Sequence, residues 1–191
     1  KAEILRTKGD YDKALEAYKT AKPEYDETAG YYYGIGFCHE ELGDRELALE
    51  NYLESVKIDD SYRDVNEKIA DLYMERYRKS CDVREYKKAV QYINRQVEKN
   101  ENCYILVHRG LMHRAAMHLQ KAIKDFEKAL TYQPEDWAAF NNIGYCYKHM
   151  GEYEKSIEMY EMSLDMLRRH EEKKILPYSN MANCYEILGN Y

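Results

Sequence analysis

The chain has 191 residues, with 35 Asp and Glu against 29 Lys and Arg, a net charge of -6 and a mean hydropathy of -0.84, yet 45% of its residues are hydrophobic and 21 are Tyr. Hydropathy scales score Tyr as polar, so the low mean understates the apolar area available for burial, and disorder is excluded. The acidic balance, with no basic stretch interleaved with aromatics, argues against nucleic acid as a partner, and no apolar run approaches the roughly 20 residues that cross a bilayer.

Only 3 Pro and 9 Gly punctuate the sequence, 34% of residues are charged, and alternating Thr/Val/Ile runs are absent, so the class is all-α. No Gly/Pro/Ser-rich linker divides the chain, which reads as one continuous body. The segment after Lys1 has neither an initiating Met nor a signal-peptide core, so the chain reads as excised from something longer. Its free thiols fit a reducing, cytoplasmic location.

The elements recur in phase. Gly9-Asp10 is followed by Ala14, Tyr18 and Ala21; offsets of 5, 9 and 12 share one face of a helix, the second of a pair whose first is mostly missing (copy 1–26). Gly43-Asp44, 34 residues on, is followed by Ala48, Tyr52 and Ser55 and preceded by Gly36, where a small residue lets two helix backbones approach (27–60). The third copy (61–101) has Ile69, Ala70 and Tyr73, then Tyr86, Ala89 and Ile93, and is about seven residues longer, which predicts longer helices around Tyr77 to Val83. In the fourth (102–136), Gly110 precedes Met117 at the anchor position, with Ala122, Phe126 and Ala129 after it. The fifth (137–174) has Gly144, Gly151-Glu152, Ser156, Tyr160 and Ser163. Gly189 follows Gly151 by 38 residues, which predicts a second helix running through Arg168 to Glu172 before Pro177 opens the next. The sixth copy (175–191), with Ala182, stops at Tyr191 where a second helix is due.

The stretch F-N-N-I-G-Y-C-Y-K-H-M-G-E-Y-E-K-S-I-E-M-Y-E-M-S-L, Phe140 to Leu164, resembles the tetratricopeptide repeat family, and Gly30 to Asp60 and Asn102 to Glu135, with Pro134 between repeats, follow the same scheme. The resemblance implies a right-handed superhelical solenoid of antiparallel helix pairs that serves as a protein-interaction scaffold, holding a peptide or partner segment in a concave groove lined by the first helix of each pair. Carried over by position, Tyr33, Phe37 and Glu40 line the second copy, and Glu67, Asp71 and Met74 the third. Val107, Leu111 and Arg114 line the fourth, Asn141, Asn142, Tyr145 and Lys148 the fifth, and Ser179, Asn183 and Glu186 the sixth. The groove begins aromatic and acidic and becomes amide-rich and mildly basic. Asn142 and Asn180 stand where the family often has an Asn that serves the scaffold itself. The branch that clamps a terminal carboxylate uses paired basic residues and Asn on early repeats; here Tyr33, Gly34, Phe37, Asp64 and Lys68 offer one basic residue, so that clamp is not expected.

Two other functions compete with this one: a ligand- or peptide-sensing regulatory segment of a larger intracellular protein and, more remotely, a helical thiol or metal hydrolase. Cys38, Cys146 and Cys184 each fall five residues before an anchor Gly, where Leu72 and Met112 stand in other copies, so they read as core residues separated by whole repeats and out of disulfide reach. Cys81 and Cys103 lack any metal-ligand spacing, and His108, His113 and His118 are five apart, which puts them on different faces of a helix. No catalytic residue, cofactor or metal is expected. Polar capping helices are missing, so self-association through open solenoid ends is a further expectation.

Overall fold

The computed structural model describes residues 1–25, 28–167 and 173–189. Among the described residues eleven α-helices follow one another: α1 (Ala2–Thr7), α2 (Tyr11–Tyr25), α3 (Ala29–Leu42), α4 (Arg45–Ile58), α5 (Val65–Ser80), α6 (Val83–Lys99), α7 (Cys103–Ala115), α8 (Leu119–Tyr132), α9 (Trp137–His149), α10 (Tyr153–Met166) and α11 (Ile175–Leu188). No strand occurs among the described residues. The helices form two compact units, Lys1–Lys99 and Asn100–Tyr191, where the sequence alone reads as one body. In the first, α1 to α6 pack in order, each on the next; in the second, α7 to α11 do the same.

The hairpins are set by their turns. Gly43 ends α3 at φ 90 while its N–H donates to Glu40 O and the Asp44 N–H to His39 O, a reversal that suits a residue without Cβ. Gly9 and Gly151 repeat it. Met117 takes the same place at φ 58, and the Met117 and His118 N–H groups donate to Arg114 O and His113 O in the same pattern. First helices are entered through side-chain caps: Thr28 accepts from Tyr31 N, Asn102 from Ile105 N, and Asp136 from Ala138 N and Ala139 N.

Within a pair, the small residue of the first helix receives the ring of the second. A Cβ on Gly144 would lie 2.7 Å from Tyr160, on Gly110 2.8 Å from Phe126, and on Gly36 2.9 Å from Tyr52. Tyr52, Phe126 and Tyr160 are fully buried, as are Cys38, Cys146 and Cys184. The small residues twelve beyond the anchors close the far end, Ser55 Oγ donating to Ala29 O and Ser163 Oγ to Trp137 O, both at 2.9 Å.

The third pair has the expected longer helices: α5 has 16 residues and α6 has 17. They are parted at Cys81, which is left-handed at φ 55. At the fifth pair, α10 ends at Met166, and the extension expected through Arg168 to Glu172 lies outside the described residues. Helix α11 begins at Ile175, so Pro177 does not open it but sits inside its first turn, where its missing N–H falls among amides that have no helical acceptor.

Candidate peptide-binding surface

In the first unit the side chains singled out on α3 and α5 are knitted together. Lys68 Nζ lies 3.1 Å from Glu40 Oε2, which also accepts from Tyr52 Oη at 2.6 Å. The Phe37 ring sits between two cations, with Arg6 4.8 Å and Lys68 5.3 Å from its centre. Arg6 is itself paired with Glu3 at 2.7 Å. Tyr33 Oη donates to Asp64 Oδ1 at 2.5 Å, and burial followed by that carboxylate contact pushes its phenol pKa well up. Tyr33 is 5% exposed and Met74 1%, so both serve the core and present little surface to a ligand, and Glu67 is buried beside them in sequence. Asp71 is exposed. A concavity of about 700 Å³ in this unit is lined by Ala2, Glu3, Tyr18, Tyr31, Tyr62 and Arg63, where the six-residue α1 leaves room; it includes none of the predicted groove residues.

In the second unit α7, α9 and α11 bring another set together. Arg114, on α7, donates through Nη1 to Asn142 Oδ1, and its guanidinium lies 4.8 Å from the centre of the Tyr145 ring. Lys148, one turn on from Tyr145, lies 5.8 Å from the same ring centre and donates to Asn180 Oδ1 at 3.4 Å. Asn180 Nδ2 in turn donates to Asn141 Oδ1 at 3.4 Å. Tyr145, Arg114 and Lys148 are half-buried, and His149 stands 4.2 Å from the Tyr145 ring. Burial, then the Lys148 and Arg114 charges, hold the His149 imidazole below its ordinary pKa. Val107 and Leu111 pack half-buried against the core of this unit, while Ser179, Asn183 and Glu186 are exposed on α11.

Four ties were not read from the sequence. Lys68 meets Glu40 and Arg114 meets Asn142, in each case 28 residues apart, and Arg6 over Phe37 and Arg114 over Tyr145 are both 31 apart. Scanning for complementary residue types at those separations would have found them, because they are the offsets that bring one first helix against the next. On the opposite side of α7, Arg109 holds the buried Asp125 through two nitrogens at 2.5 and 2.9 Å, with His113 Nε2 3.6 Å from the same carboxylate. Burial pushes His113 down to about 4.

The buried thiols Cys38 and Cys146 are pushed up to about 11 by burial. Among the described residues no group of three or more His, Cys, Asp or Glu could hold a metal ion. No helix among them is long and apolar enough to cross a membrane.

Comparison with known proteins gives one signature throughout. Tetratricopeptide-repeat patterns match residues 1–22 and 29–62, and again 137–170. Human tetratricopeptide repeat protein 6 is 29% identical over 76 residues, 40% of this chain, and the chain spans only 15% of that relative's length. Among solved structures, MamA superposes with a TM-score of 0.77 at 19% identity, covering 91% of this chain and 92% of its own. YrrB, described as a TPR protein with an unusual peptide-binding site, gives 0.77 at 22% identity, covering 93% and 87%. A thermophilic TPR protein of Thermus thermophilus gives 0.64 at 19% identity, covering 95% of each chain. At these identities the likeness shows the fold.

Proposed function

The chain belongs to the tetratricopeptide-repeat family, and from that premise we propose that it is an interaction scaffold whose second unit holds a partner peptide on the surface shared by α7, α9 and α11. One observation carries this reading: a half-buried aromatic ring, Tyr145, is flanked by two cations, each of which donates to a side-chain amide. Such a surface joins apolar contact area to oriented donors, the combination that peptide grooves use. The peptide-binding site in the description of YrrB lends the reading support by analogy of fold. In the first unit, Tyr33 and Met74 contribute to packing, and the ligand-accessible candidates there are Phe37, Glu40 and Asp71.

The test is selection of twelve-residue peptides from a displayed library on the immobilised chain. Binding by the enriched peptides is expected to disappear when Arg114 and Tyr145 are both changed to Ala, with circular dichroism unchanged. Retained affinity refutes the assignment of the surface.

A further inference from the structure

We infer that the α7–α9–α11 surface selects acidic segments, Arg114 and Lys148 each receiving one carboxylate from side chains two residues apart in an extended stretch of partner. The inference rests on the reading that this surface binds a peptide and adds the chemistry of what it takes.

Three buried or partly buried cations elsewhere are neutralised within the fold: Arg6 by Glu3 at 2.7 Å, Lys68 by Glu40 at 3.1 Å and Arg109 by Asp125 at 2.5 Å. Arg114 and Lys148 differ. Their polar partners among the described residues are the neutral amides of Asn142 and Asn180, and no carboxylate there forms an ion pair with either. Partial burial makes an uncompensated charge more costly than it is in water, so an incoming carboxylate gains more here than on an open surface.

The amides sharpen the sign. The side-chain oxygens of Asn141, Asn142 and Asn180 already accept from Asn180, Arg114 and Lys148 respectively. Asn141 and Asn142 are themselves buried and serve to hold the cluster in place, so what it presents outward are the half-buried Arg114, Lys148 and Asn180, whose N–H groups suit an anion. The depressed pKa of His149, with Lys148 and Arg114 among its causes, is consistent with an electropositive patch on a chain whose net charge is -6.

The ring bounds the spacing. Both charges lie within 5.8 Å of the Tyr145 centre. An extended segment presents alternate side chains to one face about 7 Å apart, so acids at positions i and i+2 can reach both charges while the intervening residue points away. Planar Arg114 is suited to a two-point grip on one carboxylate, and Lys148 acts as a point charge for the other.

Three end-capped twelve-residue peptides, identical except for a central Glu-Val-Glu, Gln-Val-Gln or Lys-Val-Lys, are titrated into the isotopically labelled full chain and followed by amide NMR shifts. The Glu peptide is expected to move Tyr145 and Lys148 saturably and to bind about tenfold more tightly than the Gln peptide, with affinity falling as salt rises. Arg114→Gln and Lys148→Gln should each remove most of that preference, read as the ratio of Glu-peptide to Gln-peptide affinity in the same variant. Equal binding of the Glu and Gln peptides at Tyr145 overturns the acidic preference and leaves the peptide surface standing. Binding of the Glu peptide only when its C-terminus is uncapped overturns the internal pair, as does the absence of any saturable shift at millimolar peptide. If library-selected peptides also bypass Tyr145, the surface assignment falls with it.

Discussion

The guanidinium of Arg114 stacks over Tyr145 and at the same time donates to Asn142, so one side chain of α7 grips two of α9. Cation–π contacts at exposed sites contribute about 0.5–1 kcal/mol. Arg114→Ala should therefore lower stability to urea by about 1 kcal/mol and leave the chain folded. Arg114→Lys keeps the charge but loses the planar stack, and should fall between wild type and Ala. A loss of several kcal/mol would assign the residue to the core instead of to a surface tie.

Gly144 faces the Tyr160 ring so closely that a methyl group would sit 2.7 Å from it. Ala is the better helix former by roughly 0.5–1 kcal/mol, but overpacking costs about 1–3 kcal/mol, so Gly144→Ala should destabilise on balance. Combining it with Tyr160→Leu should cost less than the sum of the two single changes, a coupling that a double-mutant cycle measures.

Ser156 Oγ donates to Gly144 O at 2.8 Å inside the same hairpin. Ala14, Ala48 and Ala122 fill the corresponding place in other copies and are all fully buried. Replacing Ser156 by Ala removes a donor whose acceptor lies in a helix, so the change in unfolding free energy should stay within about 1 kcal/mol. A larger loss would mean that the hydroxyl organises the pair.

His113 is buried beside Asp125 and Arg109, with its pKa pushed down from 6.5 to about 4 by burial. The folded state thus prefers the neutral ring. Above pH 6.5 the associated stability is fully present; as pH falls from 6.5 towards 4 the unfolded chain takes up the proton first, and up to about 3 kcal/mol is lost. His113→Gln should flatten the pH dependence of unfolding in that window relative to wild type, measured by denaturant titration at several pH values. Parallel curves for the two proteins count against it.

Cys81 is exposed, while Cys38, Cys146 and Cys184 are fully buried. A thiol reagent applied to the native chain should label Cys81 first and Cys103 more slowly, because burial and the Asp136 charge raise the Cys103 pKa. The three core thiols should react only in denaturant. Mass spectrometry of the labelled peptides reads the order directly.

Much of the fold was legible because it depends on local chemistry repeated at a fixed interval. The anchors Gly9, Gly43 and Gly151 mark chain reversals at positive φ, and Met117 was placed among them by register alone. Gly36, Gly110 and Gly144 mark ring contacts because nothing larger fits there. The candidate surface was less legible for a physical reason. An offset identifies which side of a helix a residue occupies, but not how deeply the neighbouring helices cover it, so Tyr33 and Met74 read like Phe37 and Asp71 although they are enclosed. The partners of Glu40 and Arg114 were missed because they lie a whole copy away and depend on charge sign as well as size.

The seating of Tyr52, Phe126 and Tyr160 in notches on their own hairpins has a consequence for how damage spreads. Each hairpin carries its own lock, closed by residues close in sequence, and owes its neighbours shelter but not register. A lesion in one lock should fray that hairpin ahead of the others, as in other chains of quasi-independent modules. Deuterium uptake in a damaged hairpin would then outpace uptake in an intact one.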